Sequence, residues 1–182
     1  MQQEEFLQLK AYARNFGGIM GLWWILSFAC FVGVLYEPAL SFAFDLSIIA
    51  IPFIAVYMVS YYRDRILKGV ISLRRGFAYA AFILFYATLI LAIAQWVYFA
   101  FLDNGRIVAV MLERINSPEM QPVFEAYAIP KAELIEQMNA ISASRPIDLV
   151  FSFMWFNMFA SLVISFLVAL ICKRTNRIAY GR

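Results

Sequence analysis

The sequence contains no histidine, two cysteines, and charged side chains at only 15% of its 182 positions. Without imidazole there is no Ser–His–Asp or Cys–His catalysis, no haem ligation by histidine, and few routes to a zinc site or a switch near neutral pH. Cys30 and Cys172 fall in separate apolar runs at different expected depths, so no disulfide is expected and both read as small packing residues. Glycine-rich phosphate loops, HExxH pairs and nucleophile elbows are missing. No apolar run carries an Asp/Glu pair suited to acid–base work. The expectation is therefore a protein that is not an enzyme, with no catalytic residue, no metal and no cofactor. Basic patches interleaved with aromatics are also lacking outside the apolar runs, so nucleic acid is not an expected partner.

What is abundant is apolar surface. Hydrophobic residues make up 64% of the chain, with 18 Phe, 10 Tyr and 4 Trp, a composition suited to lipid contact with interfacial anchors. Four long runs stand out, at residues 16–35, 39–61, 77–101 and 147–172. Twenty helical residues rise roughly 30 Å, one hydrocarbon thickness, so each run predicts a transmembrane helix. In the first, Gly17 and Gly21 form a GxxxG pair continued by Ala29 and Gly33, a small-residue face that allows close helix approach. Two points in the second span stay open. Asp45 is either an intramembrane carboxylate or, if the helix starts at Leu46, its N-cap. Pro52 predicts a kink.

The turn at residues 62–76 organises the rest. It places Arg63, Arg65, Lys68, Arg74 and Arg75 beside a single carboxylate, Asp64. Together with the two ends of the chain it holds eleven of the fifteen cations, against Arg106, Arg114, Lys131 and Arg145 on the other side. The positive-inside rule then places both termini, residues 1–15 and 173–182, in the cytoplasm. Residues 1–15 have apolar positions at helical spacing and read as an interfacial lead-in helix or a frayed end. Glu4 and Glu5 argue against a signal-peptide n-region.

The segment 102–146 then lies outside the cytoplasm. Asp103 or Asn104 can cap a helix with Ile107, Val108, Met111, Leu112 and Ile115 on one face. A second helix after Pro130 has Leu134, Ile135, Met138 and Ile141 as its stripe. The fold class expected is all-α, a polytopic bundle of four transmembrane helices with two short amphipathic helices between the third and fourth.

The intramembrane polar residues are the candidate site. Gln95 on the third span and Asn157, Ser161 and Ser165 on the fourth form a polar cluster. The depths of Gln95 and Asn157 differ by roughly 6 Å in antiparallel helices, close enough for a hydrogen bond between the amides. Such a cluster is either interhelical glue or the lining of a polar path.

Several short stretches resemble a known family. Tyr62-Arg63-Asp64 ends the second span and Gly69-Val70-Ile71-Ser72 precedes the third. An amphipathic segment runs near Glu133 to Met138, and the final span ends in Cys172-Lys173-Arg174. The chain resembles the membrane proteins grouped as domain-of-unknown-function family 4199, although Leu73 and Arg74 stand where the family pattern has Phe and Ala. The resemblance implies four transmembrane helices in the inner membrane of a Gram-negative bacterium, and it carries over no activity or site residue. The resulting expectation is a structural or accessory subunit of a membrane assembly. Its contacts would be with the lipid bilayer and with a protein partner, or with itself through the small-residue faces. The alternative is a small oligomeric transporter or channel with a path lined by Gln95 and Asn157.

Overall fold

The computed structural model describes residues 3–174; the remaining cations of the expected cytoplasmic tail, Arg177 and Arg182, lie outside the described residues. Among the described residues seven α-helices follow one another: α1 (Gln3–Gly33), α2 (Leu40–Tyr61), α3 (Leu73–Phe101), α4 (Arg106–Asn116), α5 (Gln121–Ala126), α6 (Lys131–Ala143) and α7 (Pro146–Cys172). Among the described residues α1, α3, α7 and α2 with its C-terminal extension are long and apolar enough to cross a membrane. They form the bundle. α1 and α7 each pack against both α2 and α3, so the order around the bundle is α1, α2, α7, α3.

The lead-in is not a separate helix lying flat on the membrane. It is the first half of α1, unbroken into the span, and Leu9 and Ala13 on it are completely buried in the bundle core. The apolar spacing that suggested an interfacial face instead packs against protein. The small-residue face lies against α3: a Cβ placed on Gly17 would come within 2.6 Å of Tyr86 Cβ, and one on Gly21 within 2.9 Å of Ile90 Cβ. Gly17 and Gly21 are thus occupied within the monomer and are not available for self-association.

α2 starts at Leu40, ahead of Asp45. Asp45 is therefore not an N-cap but an exposed residue in the second turn of the helix. The first turn has no side-chain cap of its own; the nearest substitute is Glu37 Oε1, which accepts from Ala39 N at 3.3 Å. The helix runs through Pro52 to Tyr61 and widens into one π-helical turn at Tyr62–Ile66.

At that end the basic turn does more than carry charge. Lys68 and Gly69 take left-handed backbone conformations (φ 53° and 89°) that reverse the chain. Ser72 then caps α3, its Oγ accepting from Arg75 N at 3.3 Å. Ile71 and Arg174 exchange backbone hydrogen bonds at 3.0 Å each way, tying the turn to the end of α7. Arg63 pairs with Asp64 through two bonds of 2.7 and 2.8 Å. It also donates to the Cys172 carbonyl at 3.0 Å, a cation on the negative end of a helix. Arg75 reaches Glu5 on α1 at 3.3 Å. Arg63 and Arg75 thus point inward as fasteners, while Arg65, Lys68 and Arg74 remain exposed.

The segment between α3 and α7 crosses the opposite end. The N-cap of α4 is Gly105, in the left-handed region (φ 76°), rather than Asp103 or Asn104; Asp103, two residues earlier, is buried and its carboxylate accepts from Ile107 N, Gly105 N and the Tyr98 hydroxyl, at 3.0–3.1 Å. The expected stripe on α4 is present, with Ile107, Val108 and Ile115 buried. α6 packs against α4 and shelters Leu134, Ile135, Met138 and Ile141 only in part. Two elements were not expected, a 3-10 turn at Pro118–Met120 and α5, whose Phe124 is buried. Arg106 places its guanidinium 4.3 Å above the Tyr36 ring, linking α4 to the turn between α1 and α2.

Candidate functional site

The four long helices do not pack equally along their length. In the half nearer the basic turn, successive turns of all four are buried and packed: Met20, Gly17 and Ala13 on α1, Ala55 and Val59 on α2 with Tyr62 just past its end, Ala87, Ile83 and Tyr79 on α3, and Ser161, Ser165 and Val168 on α7. The Tyr62 and Tyr79 rings are stacked at a centroid distance of 4.0 Å.

One turn in the other direction, the helices part around a cavity of about 290 Å³. α1 contributes Trp24, Ser27, Phe28 and Phe31; α2 contributes Phe44, Ile48 and Ile51. Leu91 and Gln95 come from α3, and Phe153, Phe156 and Asn157 from α7. Among the described residues no charged side chain lines it.

The structure divides the predicted polar cluster. Gln95 and Asn157 both line this cavity, but no hydrogen bond joins them. Gln95 is 5% exposed and its Oε1 has no partner. Ser161 and Ser165 lie in the packed layers beneath and do not reach the cavity. Ser165 Oγ instead donates to the Ser161 carbonyl at 2.6 Å, and Thr88 Oγ1 to the Leu84 carbonyl at 2.8 Å. These are bonds back to the preceding turn of the same helix, which satisfy a hydroxyl without tying helices together.

The polar glue between helices is elsewhere. Ser27 Oγ and Ser47 Oγ are 2.6 Å apart, joining α1 to α2. Ser47 Oγ donates to the Phe44 carbonyl at 2.6 Å, so its single proton is used there and Ser27 is the donor of the pair. Trp23 Nε1 adds a bond to the Ser47 carbonyl at 3.1 Å. Neither serine has a sequence signal that would single it out, because single serines in apolar runs are common and the two are twenty residues apart.

Cys30 and Cys172 are both free, as their different depths required. Cys172 is buried beside Ser60 Oγ (3.5 Å) and the Val56 carbonyl (3.6 Å). Among the described residues, no group of three or more His, Cys, Asp or Glu side chains is placed to hold a metal ion.

Four long apolar helices in a bundle, with no charge facing the cavity, define a multi-pass α-helical membrane protein. The chain belongs to the family described as proteins of unknown function, DUF4199, whose model matches residues 15–174. No curated protein and no solved structure matches it.

Proposed function

We propose that the protein is an accessory subunit of a bacterial inner-membrane assembly, with both termini in the cytoplasm, and neither an enzyme nor a solute path. The observation that carries this reading is the floor beneath the cavity. Met20, Ala55 and Ala87 are 0% exposed and Ser161 5%, and the layers below are packed as tightly. A path through Gln95 and Asn157 would have to cross those layers, and close-packed interiors do not leave room for a hydrated solute. The transporter alternative would need an opening between copies of the chain, where Gln95, buried inside the monomer, would not line it.

The cation count supports the orientation. The Arg63–Cys172 and Ile71–Arg174 bonds gather the basic turn and the end of α7 into one cluster on one side. The partner would sit against helix surface other than the Gly17–Gly21 face. A ridge on α7 is available, with Trp155, Phe156 and Phe159 at 66–73% exposure beside Ala160.

Reconstitution tests this against transport. Liposomes containing the purified protein should retain trapped ions and small polar solutes as well as empty liposomes do. Extraction from native membranes in a gentle detergent should bring out a companion in fixed stoichiometry. Leakage that is lost on Gln95→Ala or Asn157→Ala in a folded protein would move the reading to transport.

A further inference from the structure

The cavity itself has chemistry that an accessory role does not use. Its back wall, Trp24 and Ser27 on α1 with Gln95 on α3, is buried. On α2 and α7, by contrast, Ile48, Phe153 and Phe156 are exposed, at 45%, 43% and 73%. The mouth therefore opens sideways between α2 and α7, on the surface that a membrane-embedded bundle presents to lipid. Below, the packed layers close it. An occupant thus enters from the bilayer and must be soluble there.

The lining limits that occupant further. With no Asp, Glu, Lys or Arg on the wall, a charged group would lie buried and unpaired. The two amides nevertheless need a partner. Gln95 Oε1 has no hydrogen-bond partner despite its burial, and no hydrogen bond to the half-buried Asn157 side chain is present among the described residues. The neighbouring Ser27 and Ser47 cannot donate to the Gln95 carbonyl oxygen, because both their protons are already used. Buried polar groups in folded proteins are nearly always paired. The unpaired atom on Gln95 is its carbonyl oxygen, which needs a donor, so a hydroxyl would satisfy it and a carbonyl would not. At about 290 Å³ the space is at the low end of small-molecule sites, which run from about 300 to 1,000 Å³. It would hold a small lipophile or one end of a larger one.

We propose that this cavity binds an uncharged lipophile carrying one hydroxyl group. The apolar body lies against Trp24, Phe44 and Phe153, and the polar atom sits between the amides of Gln95 and Asn157.

The test is photolabelling of the purified protein in lipid nanodiscs with a diazirine derivative of octanol. Labelling should saturate and map to peptides containing Trp24, Phe153 or Phe156. At equal membrane mole fraction, octanol should compete about tenfold more effectively than octane, the discrimination one net hydrogen bond supplies. Gln95→Leu should keep the labelling and erase that gap; Asn157→Leu gives the same reading if the first variant does not fold. Three results would overturn the proposal: absent or unsaturable labelling spread over the lipid-facing surface, equal competition by octane, or a tenfold gap surviving in both folded leucine variants. Any of these would leave the accessory-subunit reading standing, since that rests on the packed floor.

Discussion

Replacing Gly17 with alanine should lower the melting temperature of the detergent-solubilised protein, while the same change at Gly18, one residue on, should raise it or leave it unchanged. The new Cβ at position 17 would stand 2.6 Å from Tyr86 Cβ and 2.9 Å from the Ile83 carbonyl oxygen. Neither atom is the end of a flexible side chain, so α1 and α3 must move apart along their shared face. Overpacking of this kind costs about 1–3 kcal/mol, against about 1 kcal/mol gained from replacing a helical glycine. The clash wins at Gly17. At Gly18 nothing lies within 4 Å of the added carbon, and only the gain remains. Equal shifts for the two variants would show that α1 and α3 do not meet at Gly17.

The second large effect is expected at the stacked tyrosines. Tyr62 and Tyr79 are both completely buried, with ring planes 19° apart. Tyr79→Ala removes a large aromatic from the core and should cost about 3–5 kcal/mol, as such truncations do. Tyr79→Phe should do the opposite. Both hydroxyls are buried without a hydrogen-bond partner, and an unsatisfied group of that kind carries a penalty of about 1–3 kcal/mol. Removing one hydroxyl while keeping the ring should therefore stabilise the bundle. Thermal or denaturant unfolding of the pair of variants reads both signs. A destabilised phenylalanine variant would show that the hydroxyl is satisfied after all.

Which of these features could be read from the sequence follows from how each arises. The four long helices were legible because a run of about twenty apolar residues has few other uses. Their ends were less so, because they depend on tertiary contacts. Leu9 and Ala13 make residues 3–15 part of the bundle only because other helices cover them. The start of α4 falls at Gly105 rather than at Asp103 or Asn104, because a left-handed glycine turns the chain while the Asp103 carboxylate accepts from Ile107 N two residues further on. α5 was missed because six residues are too few to show a periodicity. Within the site, the similar depths of Gln95 and Asn157 on antiparallel helices matched their place on one cavity, without the hydrogen bond between the amides, and the four-residue stripe on the fourth span put Asn157 in line with two serines. It did not separate Asn157, on the cavity, from Ser161 and Ser165 on the same stripe. That division is made by where four helices part company, which the periodicity of any one of them does not encode. The Ser27–Ser47 bond was hidden for the same reason.

The basic turn shows the limit from the other side. Its charge was legible as a topological signal. The division of labour within it was not. Arg63 and Arg75 fasten α7 and α1, while Arg65, Lys68 and Arg74 are exposed, a difference that depends on which way each helix end faces.

The most direct measurement of the central claim is a water-soluble, membrane-impermeant thiol reagent applied to single-cysteine variants, with Cys30 and Cys172 replaced by alanine. Three positions suffice. Glu113→Cys on α4 should react in intact cells, and Arg65→Cys in the basic turn only after the inner membrane is opened. Ser161→Cys, in the floor beneath the cavity, should react from neither side. Labelling of Ser161→Cys in a folded protein would contradict the account by showing a water path through the bundle, and a reversed pattern at Glu113 and Arg65 would contradict its orientation.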